Sequence, residues 1–288
     1  MHVDNSSHVG VFIMDSKRKQ PATLLIVTMA INAALYAVGS FATAYIPSPW
    51  GVGQFRPAVV IPAFFATIFG PWVGGIGAAL GTLIADSVKH GQLYFGSLIA
   101  AVPGNFIGFF LFGYVLKKKF SWPRFIAMAN VTLVVANLIV AFLYVFAFKV
   151  LYASTPSYTA LSADALTMLS IGLTIFWFVT MLPFVLLITP LFIVAVSNAF
   201  PSIVADDVRE SALKKLPRRS FALSMLIPGI IMILIGLATS YTVFGNYLST
   251  NFASTFSSTI MALLQLLFYG SGIVLSVLGA LVLLRKER

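Results

Sequence analysis

Long apolar stretches, separated by short polar ones, divide the chain into eight hydrophobic segments. The first runs from about Ala22 to Ile46. At about 25 residues it can cross a hydrocarbon core of about 30 Å with some tilt. A loop rich in Pro and Gly follows, from Pro47 to Arg56. The second segment starts at Pro57, a favoured first helical residue, and reaches about Phe69; the third runs from Trp72 to about Ala85. Gly70-Pro71 between them reads as a turn. Each has about 14 residues, or roughly 21 Å of helix, which is short for a crossing. Two arrangements fit: short crossing helices in a thinned or protein-lined region, or a re-entrant hairpin dipping in from outside.

The fourth segment is Leu93 to Leu116 and the fifth Phe125 to Tyr152. The sixth begins near Asp164 and stays apolar to about Phe200, longer than a bilayer requires, with Pro183 and Pro190 as places to bend. The seventh is Phe221 to Phe244 and the eighth about Ser257 to Leu284. The stretch Ser202 to Ser220 is polar. Its acids (Asp206, Asp207, Glu210) precede its bases, an order that suits a short helix with a Glu210–Lys214 pair. This predicts a connector helix, either solvated or docking a cytoplasmic partner. The expected organisation is an N-terminal tail (1–20), a six-span body (21–200), a connector (201–220) and a two-span C-terminal appendix (221–288). No internal repeat is visible, so the inverted-repeat pattern of many secondary transporters is missing.

Charge orients these segments. Fifteen of the 18 Lys and Arg residues fall in alternate loops: Lys17–Lys19, Lys117–Arg124, Arg209–Arg219 and Arg285–Arg288. Only Arg56, Lys89 and Lys149 lie on the other side. Cytoplasmic loops retain basic residues, so the chain reads as an all-α polytopic protein of the cell membrane with both termini in the cytoplasm. Composition agrees: 59% hydrophobic and 9% charged residues are far from a soluble domain. The apolar stretch after Lys17–Lys19 is too long for a cleaved signal core and is expected to stay as a span. The net charge of +10 is juxtamembrane and suits contact with anionic lipids rather than nucleic acid.

No chemistry-bearing motif points to an enzyme. There is no GxxxxGK[ST] phosphate loop and no GxSxG, and cysteine is absent. The histidines His2, His8 and His90 have no ligand spacing, so no metal and no cofactor is expected. No acidic residue lies mid-span, which argues against an ion-coupled pump. Trp50, Phe55, Arg56, Asp86, Lys89 and His90 gather at the outer face near the two short segments. They suit either a shallow outward pocket or interfacial caps with Arg56 and Asp86 paired; Arg56 would suit an anionic group. Asn105, Asn137 and Trp177 lie deeper and suit either helix bridging or a ligand cavity. Small residues four apart mark close helix packing: Ala30/Ala34 and Ala33/Ala37 in segment one, Gly70/Gly74/Ala78 and Gly77/Gly81 in segment three, Gly104/Gly108 in segment four.

Within Ala30 to Ser87, several features occur together: Ala30-x-x-x-Ala34, the loop Gly51-Val52-Gly53-Gln54-Phe55-Arg56-Pro57, Ile61-Pro62, Phe69-Gly70-Pro71-Trp72-Val73-Gly74, and a glycine-rich helix ending in Asp86. This stretch resembles the membrane-embedded substrate-binding (S) components of energy-coupling-factor (ECF) transporters. The resemblance implies a six-helix binding subunit for a vitamin or similar micronutrient. It implies that Ala30, Ala33, Ala34 and Ala37 dock on a transmembrane coupling (T) protein driven by two cytoplasmic ATPases. It also implies outer loops that close over the ligand, drawing on Trp50, Phe55, Arg56, Asp86 and His90. The eight segments depart from the six of that family. A stand-alone permease for a small organic solute is the alternative.

Overall fold

The structure, a computed structural model, describes residues 21–46, 48, 52–214, 216–251 and 258–284. Trp50, the 1–20 tail and the last basic cluster lie outside the described residues. All eight apolar segments become helices. Six are long and apolar enough to cross a membrane. They are α1 (Ala22–Ala42), α4 (Val102–Lys118) with a π-helical lead-in from Ser97, α5 (Trp122–Phe142) with a π-helical continuation to Tyr152, α7 (Ala163–Ala199), α9 (Arg218–Tyr241) and α11 (Ser258–Leu284). The other two are α2 (Val60–Phe69), preceded by a 3₁₀ turn from Pro57, and α3 (Pro71–His90). Short helices α6 (Pro156–Thr159), α8 (Asp206–Ala212) and α10 (Val243–Asn251) fill connections.

Segment three is longer than expected. The α3 helix has 20 residues, about 30 Å, and is long enough to cross. The apolar pattern ends it near Ala85, before the first polar residues, but nothing there breaks a helix. It runs on through Ser87, Val88 and Lys89 until Gly91 adopts a left-handed cap at φ 70°. The Gly70-Pro71 turn, with Gly70 at φ 92°, lies beside the side chain of Lys117, and Gly113 packs on Pro71. The turn thus reaches the lysine-bearing end of α4 and does not stop halfway. The α2–α3 hairpin therefore runs along the bundle to the level of the α4 lysines.

The α2 helix stays short because the loop before it sinks into the bundle. Gln54 and Arg56 are buried, and the indole N–H of Trp177, well along α7, donates to the Gln54 carbonyl at 3.1 Å. The descent requires Gly53. Its φ is +73°, and a Cβ there would come within 2.6 Å of the Trp177 ring.

The glycine ladders are consumed in internal packing. Gly77 and Gly81 face Asn32, Ala33 and Tyr36 of α1; Gly74 faces Ala66 and the Phe109 carbonyl; Gly104 and Gly108 face Val140 and Ala136 of α5. At Gly77 a methyl group would collide with Asn32, itself fixed by a 2.8 Å bond to the Val73 carbonyl. Gly77→Ala is therefore expected to destabilise the fold by about 1–3 kcal/mol, as overpacking does. Thermal unfolding in detergent would check this; an unchanged midpoint would show that α1 and α3 are not in close contact.

The α7 helix has 37 residues and continues through Pro183 and Pro190. The α9–α11 hairpin packs chiefly on itself, and Arg218 at the start of α9 donates to the carbonyls of Val282 and Leu283 at the end of α11. Its contacts with the body are made through α5 and α7. The connector is not freely solvated. Asp207 accepts from the Phe120 N–H at 2.6 Å, the Trp122 indole donates to the Ser211 carbonyl at 2.7 Å, and Val208 and Ala212 are buried. Its ion pair among the described residues is Arg209–Asp206, three residues apart, in place of the expected Glu210–Lys214.

Candidate functional site

Where the sunken loop meets the outer ends of α3, α4, α5 and α7, the bundle forms a partly open cavity of about 310 Å³. One wall is a polar network. The Arg56 guanidinium donates to Asp86 Oδ1 at 2.6 Å and to the Thr82 hydroxyl, and the Gln54 amide donates to the same Asp86 oxygen at 2.9 Å. Lys89 donates to the Ala44 carbonyl at 2.5 Å and to Gln54 Oε1 at 2.9 Å. The loop is thereby pinned to the last two turns of α3. Arg56 and Asp86 are each about 10% exposed, so this pair is a buried one.

The mouth is aromatic. His90 stacks on Tyr94 at 3.8 Å with parallel rings, and its Nδ1 lies 2.7 Å from the Asp86 carbonyl oxygen. The Tyr94 and Tyr144 hydroxyls are 3.2 Å apart. Lys149 lies over the rings of Tyr144, Phe148 and Tyr158. Burial raises the Tyr94 phenol pKa, and burial followed by the field of Tyr94 pushes Tyr158 up to about 12. Both phenols are neutral at ordinary pH. Deeper in, Asn105, Asn137 and Trp177 face the cavity alongside Met181. Among the described residues, the Asn137 amide finds one hydrogen-bond acceptor, the Met181 sulfur at 3.7 Å. Carboxamides left with such weak partners are able to read the edge of a planar heterocycle.

Six of the residues singled out from sequence line this one cavity: Arg56, Asp86, His90, Asn105, Asn137 and Trp177. Phe55 does not. It turns the other way, edge-on to Phe184 at 5.6 Å, into a groove of about 970 Å³ between α7 and α11. That groove is larger, but apart from the hydroxyls of Ser48, Thr180 and Ser271 its lining side chains are apolar, with little to orient a polar solute. The four alanines of α1 also separate. Ala33 and Ala37 are buried against α3, whereas Ala30 and Ala34 are exposed. At 100° per residue all four fall within one arc of about 100°, so the split reflects which neighbours cover each level and edge of that arc, not two opposed faces. Sequence reading missed Gln54, Tyr94, Tyr144 and Met181 as lining residues. It noted Lys89 and Lys149 only as two of the three basic residues outside the cytoplasmic loops, and that isolation was the available signal.

A family model described as "ECF-type riboflavin transporter, S component" matches residues 21–201. A UPF0397 protein of Lactobacillus delbrueckii subsp. bulgaricus is 34% identical over 156 residues, covering 52% of this chain and 81% of the relative. A UPF0397 protein of Streptococcus agalactiae is 29% identical over 115 residues, covering 40% of this chain and 63% of the relative. No solved structure matches the chain significantly. The family match spans α1 to α7, which contain every residue lining the cavity, and stops before the α9–α11 hairpin. On that match the chain belongs to the family of ECF-type riboflavin transporter S components.

Proposed function

We propose that this chain is the substrate-capturing membrane subunit of an ECF-type uptake transporter, taking riboflavin or a related micronutrient from outside the cell membrane. The observation that carries the reading is the cavity itself: a partly open site near the outer end of the matched region, lined by amides, rings and a buried ion pair. The ligand enters between Tyr94, Tyr144 and the loop around Gln54. Trp177 supplies a ring face, and Asn105 and Asn137 supply the hydrogen-bonding edge. Energy comes from elsewhere, because the chain has no phosphate loop. The partners are a T protein, met on the exposed Ala30–Ala34 side of α1, and two cytoplasmic ATPases.

Mass spectrometry of the tagged protein, purified gently from its native membrane, tests this. The expected result is a coupling protein, two ATPase subunits and a stoichiometric small molecule. Isolation without any ATPase, together with solute flux through the protein alone in liposomes, would replace this reading with a stand-alone permease.

A further inference from the structure

The charges lining the cavity do not balance. Arg56, which the sequence offered to an anion, is already held by Asp86 at 2.6 Å. Two more cations line the same space, Lys89 near the end of α3 and Lys149 near the end of the π-helical part of α5. Their partners are neutral. Lys89 donates to a backbone carbonyl and a carboxamide oxygen. Lys149 lies 5.4 to 5.6 Å from the centres of three aromatic rings. Among the described residues Asp86 is the only acidic side chain in the lining, so three cations face one carboxylate. A partly desolvated ammonium without a counter-ion is costly, and an anion delivered to it forms charge-assisted hydrogen bonds stronger than neutral ones.

Position sharpens the point. Both lysines sit at the outer ends of their helices, while Asn105, Asn137 and Trp177 lie further along α4, α5 and α7. Charge is offered at the mouth, and ring faces and amide edges on the floor. We infer that the cavity selects a small ring compound bearing a carboxylate or phosphate, with the anionic group between Lys89 and Lys149 and the ring against Trp177. This rests on the uptake-subunit reading above and narrows it from a micronutrient to an anionic one.

The test uses the full chain in lipid-free detergent and matched ligand pairs that share a ring but differ in charge. Suitable pairs are riboflavin with riboflavin monophosphate, nicotinamide with nicotinate, and pyridoxine with pyridoxine phosphate, each titrated by calorimetry. The expected result is that, in at least one pair, the anionic member binds about tenfold or more tightly than the neutral one. In Lys89→Met and Lys149→Met the ratio within that pair should fall towards one. The comparison in the unaltered protein stands even where a variant fails to fold. If the neutral member of the binding pair binds equally or more tightly, the inference is overturned while the uptake reading survives. If no member of any pair binds, the uptake reading fails and takes the inference with it. A final arm adds phosphatidylglycerol to the micelles. If that lipid displaces the anionic ligand, and its own binding is lost in the lysine variants, the lysines serve a lipid headgroup and the inference is overturned.

Discussion

Replacing Arg56 by methionine is expected to cost about 3–5 kcal/mol of stability, because it strands Asp86 as a buried, unpaired carboxylate. The Arg56 side chain is only 10% exposed and donates to both Asp86 and Thr82. Neither acceptor can turn to bulk water while the loop stays folded. The same change removes the Arg56 ties between the descending loop and α3 and leaves only those through Gln54, so ligand binding should be weakened even at temperatures where the variant is folded. Adding Asp86→Leu removes the stranded charge, and the double variant should regain most of the lost stability but not the binding. Thermal unfolding and calorimetry on the three proteins separate these terms. Losses below about 1 kcal/mol in the single variant would mean that the pair is solvated like a surface ion pair and that the loop does not close as described.

The second large effect is expected on α1, where two neighbouring alanines should behave in opposite ways. Ala34 is exposed on the same face as Ala30, flanked by the outward-facing Ile31, Leu35 and Val38. Leucine there meets nothing within the subunit, so Ala34→Leu should fold and bind ligand normally. It should nevertheless lose the coupling protein on purification and reduce uptake by an order of magnitude or more, because a close helix contact depends on small side chains. Ala33 is 4% exposed, and its carbonyl lies in the α1–α3 contact beside Gly81. Ala33→Leu must therefore push α1 away from α3 and should lower the unfolding midpoint by the equivalent of about 1–3 kcal/mol. Retained partner binding and uptake in Ala34→Leu would remove the docking assignment. A fully stable Ala33→Leu would show that α1 faces differently.

The family model stops at residue 201, yet the structure continues into an α9–α11 hairpin that leans on α5 and α7. The groove it forms with α7 takes up Phe55, the residue next to Arg56 in the loop. The hairpin thus faces the same groove as the loop that shapes the cavity, although among the described residues it contributes none to the cavity lining.

The all-helical membrane architecture was legible in the sequence because hydropathy and loop charge are summed over whole segments. A bilayer enforces them without reference to which helix touches which. The eight segments, the Gly70-Pro71 turn and the stop at Lys117–Lys119 all follow from such local rules. Part of the site was legible for the same reason: polar residues within apolar segments, or charges beside them on the side poor in Lys and Arg, are few, so Asn105, Asn137 and Trp177 stand out in the first way and Arg56 and Asp86 in the second. The tertiary structure decided what one-dimensional patterns do not encode. The burial of Ala33 and Ala37, with Ala30 and Ala34 left outside, depended on which neighbours pack beside each level of α1. The inward fall of the 52–56 loop onto Trp177 depended on a contact more than a hundred residues away in sequence. That fall paired Arg56 with Asp86 and left Lys89 and Lys149 as the unbalanced cations of the cavity. Burial, descent and pairing are set by packing between distant segments, where the cost of a buried charge or a missing methyl is decided by its neighbours.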